Sequence, residues 1–490
     1  MLKRLVLLFF AIVFLAKFMC LGSIPFSYDE TLYAEMVSEE LEHPSFLPTY
    51  LGYPAPWKPG LSFFAYSLFL PISSAIFDSL EYIYRFPVLV FGLINAYLFY
   101  LLAKRFYGED AALLSSLLFY ASLSDFYIES RLLMEPFMLT TILISLIFYT
   151  NNKMPDSRRF ALGALFAILS AFTKSVIALV IPAFAILYIF QFERKKLSSP
   201  AFLLSLLAVP LGLLIFWLSL SPLGLAEKIF FGDTGKMFVY DYSSHMADNI
   251  SVGVILVALF MLPVIAAAAF SFASRWKGNY MFAAWFLLLF AMLLFGQRQW
   301  YYYYVTPPVC LFAALLMLKK DGRMDGFAIM LVAMLVAISV SIAVFTPWNP
   351  NEEEYFYEAK EIGLSLSGKD NVLFLGQYTS NSASIAYKIL DERHREGRYR
   401  DFGYILFDGI RNNITASSAR DFVENYWRDD YDMEERNFAA IFWHDKIFRK
   451  NTGISEFDYV VVSPPVENLS LKGYGIDFPG NYSTVYRRIG

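Results

Sequence analysis

The chain has 490 residues, of which 57% are hydrophobic and 17% are charged, and its net charge is −4. A soluble domain carries about 25% charged residues, so this composition excludes an ordinary soluble protein and indicates one for which lipid is part of the solvent. The Lys and Arg residues stand in short, scattered clusters, which predicts no nucleic-acid partner, and the two cysteines lie far apart in apolar runs, which argues against a disulfide framework.

Apolar runs dominate the first 346 residues, and a membrane-spanning helix needs roughly 20 mostly apolar residues. The candidate runs lie near residues 3–22, 61–77, 86–103, 110–127, 136–150, 160–173, 175–190, 200–220, 251–273, 280–296, 302–318 and 326–346. The first run looks like a signal peptide, but its cleavage pattern is weak and many apolar runs follow. We therefore predict that it is retained as the first transmembrane helix.

The distribution of positive charge decides which runs cross, because Lys and Arg collect in cytoplasmic loops. If the run at 61–77 does not cross, most of the basic clusters, from residues 3–4 to residues 319–323, share one side. The opposite side then carries Lys58, Arg85, Arg131, Lys174, Lys228, Lys236 and Arg298. We therefore predict about eleven transmembrane helices and a cytoplasmic N-terminus, with residues 61–77 lying along the outer face or dipping into it.

Residues 347–490 have a different pattern, with dense charge and no long apolar run. Runs of strand-forming residues at 372–376, 404–408, 458–463 and 483–489 predict strands, and a helical pattern begins near Ser384. This alternation is typical of an α/β domain with a partly parallel sheet. The fold prediction is an all-α polytopic membrane domain over residues 1–346, followed by a small soluble α/β domain on the extracytoplasmic side of the cell membrane.

Polar residues near the ends of the predicted helices collect on the predicted outer face. They are Asp29, Glu30, Tyr33, Lys58, Arg131, Glu135, Lys174, His245 and Arg298. Ionisable residues kept near the membrane are functional candidates. Lys and Arg suit a phosphate, a carboxylate suits a general base, and apolar walls suit a lipid tail, so the set predicts a site for a lipid phosphate that carries an activated group.

Each of these residues also has a purely structural interpretation. Asp29 and Glu30 suit the N-terminus of a short helix, and Arg131 has the spacing of an i,i+4 pair with Glu135. Lys174 can extend to the membrane interface, Arg298 beside four tyrosines suits an aromatic belt, and His245 suits an ordinary loop. The convergence of several separate loops on one face favours the functional interpretation.

The segment YDETLYAEM, followed by WKPGL, resembles the first outer loop of the GT-C class of polyprenyl-phosphate-dependent glycosyltransferases. The similarity is greatest to the lipid-A aminoarabinose transferases and the protein O-mannosyltransferases, which share a D-E-x-x-Y motif and then a K-P-P-L motif. Later matches are the acid after Arg131, Thr173-Lys174-Ser175 for T-K-G, and Tyr304-Val305-Thr306-Pro307 for Y-x-x-P. The resemblance covers roughly residues 1–320.

The resemblance implies an inverting enzyme that moves a monosaccharide from a polyprenyl-phosphate donor to an acceptor hydroxyl. Asp29 would be the catalytic base. Lys58, Arg131, Lys174 and Arg298 would bind the donor phosphate, because positive charge fixed where negative charge develops stabilises the transition state. Glu30, Glu135 and Tyr33 would orient the acceptor or these cations. The implied partners are membrane lipid, the lipid-linked donor, and a glycan, lipid or protein acceptor.

The sequence departs from the family pattern at the element that implies a metal. The aminoarabinose transferases have a metal-binding Glu where Trp57 stands, and His245 lies roughly where they have a metal-binding His. The K-P-P-L motif is also K-P-G-L here, at residues 58–61. A divalent metal therefore stays an open alternative, with His245 as its candidate ligand, and the sequence predicts no other cofactor.

Two other functions remain open. An oligosaccharyltransferase shares the class and the acidic outer loops, but its W-W-D motif has only a chance likeness here, at residues 426–430. A transporter or flippase for a lipid or sugar is the second. Transporters usually have internal repeats and polar groups at the bilayer midplane, whereas these polar residues belong to one predicted face. The sequence does not identify the sugar, the prenyl chain or the acceptor.

Overall fold

The computed structural model describes residues 2–45, 47–50, 53–54, 59–173, 177–220, 280–287, 302–318, 326–345, 350–366, 371–376, 378–396, 403–408, 457–463, 465–466 and 469–489. Up to residue 345 these are almost entirely helical. The helices are α1 Leu2–Cys20, α2 Tyr28–Glu42, α3 Leu61–Ser67, α4 Leu70–Ile76, α5 Leu80–Tyr107, α6 Glu109–Tyr120, α7 Leu123–Glu129, α8 Glu135–Tyr149, α9 Asp156–Ala171, α10 Val180–Phe192, α11 Pro200–Leu206, α12 Ala208–Leu220, α13 Tyr302–Met317 and α14 Gly326–Phe345. Residues 280–287 form a further helical stretch.

Apolar helices of membrane-spanning length occur among the described residues. Helix α5 Leu80–Tyr107 and the segment Pro200–Ser219, which contains α11 and most of α12, are long and apolar enough to cross a bilayer, and four shorter apolar helices accompany them. The run at 61–77 forms α3 and α4 instead of one helix, and seven residues of helix extend only about 10 Å. The predicted number of about eleven spans stays a prediction.

The helices follow the apolar runs closely but not everywhere. The run at 110–127 is divided at Ala121 and Ser122, where α6 ends and the Ser122 hydroxyl caps α7 by accepting from the amide of Asp125 at 3.2 Å. Arg85, placed on the outer side from the sequence, lies in the second turn of α5 and is fully buried. Helix α5 begins at Leu80, upstream of the apolar run that starts at residue 86, and the side of the membrane on which Arg85 lies stays a prediction.

Helix pairs that are adjacent in the sequence and pairs that are distant in it pack around one apolar core. Helix α5 lies against α6 and α8, α8 against α9, and α13 against α6. Helix α1 packs on α6 and α14, so the first and last helices of this part of the chain are in contact.

The C-terminal region contains the predicted partly parallel sheet. Its helices are α15 Pro350–Ser365 and α16 Tyr378–Glu396. Its strands are β3 Asn371–Gly376, β4 Gly403–Asp408, β5 Tyr459–Ser463, β6 Tyr474–Pro479 and β7 Thr484–Arg488; strands β1 Thr49–Tyr50 and β2 Tyr53–Pro54 form a separate short hairpin between α2 and α3. The sheet order is β4-β3-β5-β7-β6; β3 is parallel to β4 and to β5, and β7 is antiparallel to β5 and β6. The four predicted strands are confirmed, and β1, β2 and β6 were not predicted.

Candidate active site

The N-terminus of α2 is built by a capping box. Ser27 has extended backbone angles, and the carboxylate of Glu30 accepts from the amide of Ser27 at 3.0 Å and from its hydroxyl at 3.1 Å. A Ser-x-x-Glu spacing starts a helix in this way because it satisfies amides that the first turn leaves open. Asp29 lies inside this first turn, where the helix dipole favours negative charge.

Glu30 also joins α2 to α5 and to the connection between α7 and α8. Its carboxylate accepts from Arg85 Nε at 2.7 Å and Nη2 at 2.9 Å, and from the amide of Leu132 at 2.7 Å. Burial would raise the pKa of Glu30, but Arg85, Arg131 and the Ser27 amide hold that pKa below its ordinary value. The side chain is fully buried, so Glu30 is an anchor for two arginines at the base of the site.

Asp29 differs from its neighbour in exposure and in contacts. Its side chain is half-buried, and among the described residues no hydrogen bond or ion pair engages its carboxylate. A carboxylate in a first helical turn with open oxygens has the form that a general base requires.

Arg131 lies beside this helix end, between α7 and α8. Its Nη1 is 3.9 Å from Glu30 Oε2, its guanidinium lies 4.8 Å from the ring centre of Tyr127, and its side chain is 12% exposed. Within the described ranges its side chain donates no hydrogen bond, and its Nε is buried. Among the described residues Arg131 pairs with Glu30 and not with Glu135, so the i,i+4 ion pair considered from the sequence is not found. Arginine offers five N–H donors in a planar fork that suits phosphate.

Helix α3 connects this helix end to a cavity of about 330 Å³. The cavity is lined by Ser45, Pro59, Gly60, Leu61, Phe64, Phe172 and Phe216. On its other sides α3 touches the two groups just described: the ring of Phe63 lies 5.2 Å from that of Tyr33 in α2, and the Tyr66 hydroxyl donates to the carbonyl of Leu133 at 2.7 Å. An apolar cavity of this size suits part of a lipid chain.

Two sequence motifs meet at this cavity. The amide of Leu61, in the K-P-G-L element, donates to the carbonyl of Phe172 at 3.4 Å, and Phe172 directly precedes Thr173 of the T-K-S element. The motifs are more than 100 residues apart in the sequence, yet Pro59, Gly60 and Leu61 of the first and Phe172, which directly precedes the second, line the same cavity.

The other predicted site residues divide into two groups. Tyr33 is 5% exposed and Glu135, in the first turn of α8, is 3% exposed. Lys58, Lys174, Arg298 and His245 lie outside the described residues. The described part of the chain contains no group of three or more His, Cys, Asp or Glu residues arranged to hold a metal ion.

A buried charged network near Arg131 was not predicted from the sequence. Lys17 in α1 forms ion pairs with Asp125 and with Glu129 of α7, the latter at 2.6 Å, and all three side chains are fully buried. The Tyr303 hydroxyl donates to Glu129 at 3.0 Å and accepts from the Asn95 amide at 3.0 Å. The available signal was a lysine inside an apolar run, because a charge in such a position needs a partner.

A known protein family matches the part of the sequence that contains most of this site. The family model described as dolichyl-phosphate-mannose-protein mannosyltransferase matches residues 59–219, which include Arg131 and every cavity-lining residue except Ser45. No curated protein sequence matches the chain.

Solved structures resemble the chain over nearly its whole length. ArnT from Cupriavidus metallidurans bound to undecaprenyl phosphate is 12% identical to this chain, with a TM-score of 0.66. The match covers 99% of this chain and 98% of ArnT. The mycobacterial arabinofuranosyltransferase AftD is 12% identical, with a TM-score of 0.52 over 99% of this chain and 41% of its own. The Archaeoglobus fulgidus oligosaccharyltransferase tethered to an acceptor peptide is 13% identical, with a TM-score of 0.50 over 94% and 69%. The chain therefore has the fold of the GT-C glycosyltransferases, the class that its outer-loop motifs resemble.

Proposed function

We propose that this chain is a multi-pass membrane glycosyltransferase that moves a monosaccharide from a polyprenyl phosphate to an acceptor hydroxyl. The proposal rests on two side chains at the N-terminus of α2, a carboxylate and a guanidinium, whose polar atoms have no hydrogen-bond partner among the described residues. Asp29 offers an unengaged carboxylate at the start of α2, and Arg131, held next to the same turn by Glu30, offers unused donors among the described contacts. The structural likeness to a protein bound to undecaprenyl phosphate supports the choice of donor.

The proposed reaction is a single displacement at the anomeric carbon. Asp29 accepts the proton of the acceptor hydroxyl while that oxygen forms a bond to the anomeric carbon. The bond from this carbon to the phosphate oxygen breaks, its electron pair stays on the phosphate, and polyprenyl phosphate leaves. Attack from the face opposite the leaving group inverts the anomeric centre.

Positive charge near the phosphate is the second requirement, because the leaving group gains negative charge in the transition state. Among the described residues, we propose Arg131 for this role, because its side chain has donors without a hydrogen-bond partner there. Lys58 is joined by a peptide bond to Pro59 and Lys174 to Thr173, and Pro59 and the neighbouring Phe172 line the 330 Å³ cavity. We propose that these lysines and Arg298 bind the phosphate and that the cavity receives the first part of the prenyl chain.

The proposed orientation follows from the same site. A lipid-linked donor with its phosphate at Arg131 requires the α2 end to lie at a membrane surface, and the charge distribution assigns this surface to the extracytoplasmic side. We propose that residues 347–490 form a domain on that side and that the N-terminus is cytoplasmic.

Asp29→Asn tests the base. We expect turnover to fall by about 10² to 10⁴, with unchanged membrane insertion, when the purified protein in lipid nanodiscs is given radiolabelled prenyl-phosphate sugars and the release of prenyl phosphate is measured. Asp110→Asn is the matched control, because Asp110 is an exposed acid in the first turn of α6. Turnover by Asp29→Asn equal to that of the control would remove Asp29 from the base role.

Lys58→Ala and Arg131→Met test the donor phosphate site. We expect both to raise the KM for the donor more than the KM for the acceptor. Lys153→Ala, at an exposed position before α9, is the control. An unchanged donor KM in both variants would contradict the phosphate assignment.

An oligosaccharyltransferase activity is the second candidate, favoured by the structural likeness to the archaeal enzyme. The mass added to the acceptor separates the two functions. Transfer of one sugar residue from a monosaccharide donor supports the first proposal, whereas transfer only from a lipid-linked oligosaccharide supports the second.

A further inference from the structure

The loop that leads into α2 is held from two sides. From the membrane part, Arg85 Nη1 donates to the carbonyls of Leu21 and Ile24 at 2.7 and 2.8 Å, and its Nη2 donates to the carbonyl of Pro25 at 3.0 Å. From the C-terminal region, the amide of Phe26 donates to the Tyr387 hydroxyl at 2.6 Å.

Tyr387 is itself fixed by its surroundings. Its hydroxyl donates to Glu81 Oε1 at 2.9 Å, and Lys360 of α15 donates to the same oxygen at 2.6 Å. Its ring stacks on the ring of Phe26, with centroids 5.5 Å apart. The side chain is fully buried. Its hydroxyl is therefore fixed in place where it accepts from Phe26, the residue before the N-cap of α2.

A second contact from α16 holds the other end of α2. Arg393 lies 3.6 Å from Glu35, 3.7 Å from Glu39 and 3.5 Å from Glu42, each distance measured to a carboxylate oxygen. These three acids lie on one face of α2, since residues at i, i+4 and i+7 share a helix face. The Arg393 side chain is 9% exposed, and its contacts fix the rotation of α2 about its axis.

We propose that α16 is a positioning element of the active site, in which Tyr387 and Arg393 hold α2 so that the Asp29 carboxylate faces the reacting hydroxyl. This inference rests on the proposed function of Asp29. Asp29 lies three residues after Phe26 and six before Glu35, so it is in the stretch between the two contacts of α16. A positioning residue acts on the transition state without touching the substrate, and a displacement of about 1 Å can cost about 10²-fold in rate.

The test uses the full chain in nanodiscs and the substitutions Tyr387→Phe and Arg393→Gln. We expect each to lower kcat by about tenfold to a hundredfold while the KM for the donor changes little, because the phosphate-binding residues stay in place. Arg393→Lys, which keeps the charge, should recover part of the loss. A change in donor KM with unchanged kcat would overturn the proposal.

Two controls separate positioning from a general effect on the C-terminal region. Tyr486→Phe removes a buried hydroxyl that donates to the carbonyl of Leu469 within that region. Arg395→Gln removes an arginine of α16 that pairs with Asp391 of the same helix and is 70% exposed. Both should keep kcat near the wild-type value, and losses equal to those of the test variants would refute a specific role for α16.

Amide hydrogen exchange makes the test independent of the reaction. Tyr387→Phe should speed exchange at residues 27–33, and Tyr486→Phe should not. If the wild-type protein transferred no sugar from any prenyl-phosphate donor, the proposed function would fail, but faster exchange at 27–33 would still support the positioning contact. Wild-type exchange there in Tyr387→Phe would refute it.

Discussion

Replacing Glu30 by Gln changes the group that holds α2, α5 and the Arg131 segment together. Each carboxylate oxygen faces at least two donors: Oε1 accepts from Arg85 Nε and the Leu132 amide, and Oε2 accepts from Arg85 Nη2 and the Ser27 amide. A carboxamide keeps one oxygen, so in either orientation its NH₂ group faces two N–H donors. The substitution also leaves the fully buried Arg85 without its charged partner.

Removing one partner of a buried ion pair costs about 3–5 kcal/mol. An exposed pair contributes only about 0.2–1 kcal/mol. Glu109→Gln is therefore the matched control, because Glu109 is 46% exposed and lies 3.5 Å from Lys104. We expect Glu30→Gln to lower the free energy of unfolding by several times more than the control.

Chemical unfolding of the protein in mixed micelles, followed by tryptophan fluorescence, measures this difference. Sugar transfer should fall as well, because Arg131 loses the carboxylate beside it. Equal unfolding midpoints for Glu30→Gln and Glu109→Gln would refute the reasoning, since they would mean that the buried pair contributes no more than the exposed one.

Three further changes test other parts of the molecule. Gly92→Ala should destabilise the protein by about 1–3 kcal/mol, because its new Cβ would overlap the carboxylate of Glu129; an unfolding midpoint at or above that of the wild type would contradict this packing. Lys17→Met should cost about 3–5 kcal/mol, because two carboxylates then share a buried site without a cation, and unfolding of the variant in micelles measures it. Burial raises the pKa of Glu40 to about 7, above its usual value of about 4.3. The protonated carboxyl therefore contributes its full stability below the lower pKa, and this contribution is lost as pH rises from the lower pKa to the higher one. The melting temperature of Glu40→Gln relative to wild type should increase from about pH 4 to about pH 7 and level off above that, and a constant difference would show that Glu40 does not titrate there.

The sequence predicted those features that depend on local pattern. Apolar runs gave the helices because the residues of a spanning or buried helix must be apolar, and β-branched runs such as 459–463 gave strands. Strand β6 was missed because Gly475 and Pro479 weaken the strand pattern of YGIDFP.

The candidate site was only partly predictable. The D-E-x-x-Y motif directed attention to Asp29 and Glu30, but no local pattern shows that Glu30 pairs with Arg85, which is 55 residues away in the sequence. The same limit applies to Tyr387 and Phe26, which are 361 residues apart. Such partners are brought together by helix packing. Their separation along the chain follows no fixed spacing, so a single sequence does not reveal them.

The Lys17 network has a consequence for how the protein is made. Lys17 lies in the last turn of α1, and its partner Asp125 lies 108 residues later in the chain. At about 5–20 residues per second, a ribosome needs on the order of 5–20 s to deliver that partner. During this interval Asp125 and Glu129 are absent, so the buried ion pairs of Lys17 form, and α1 takes its final packing position, only when α7 has been synthesised.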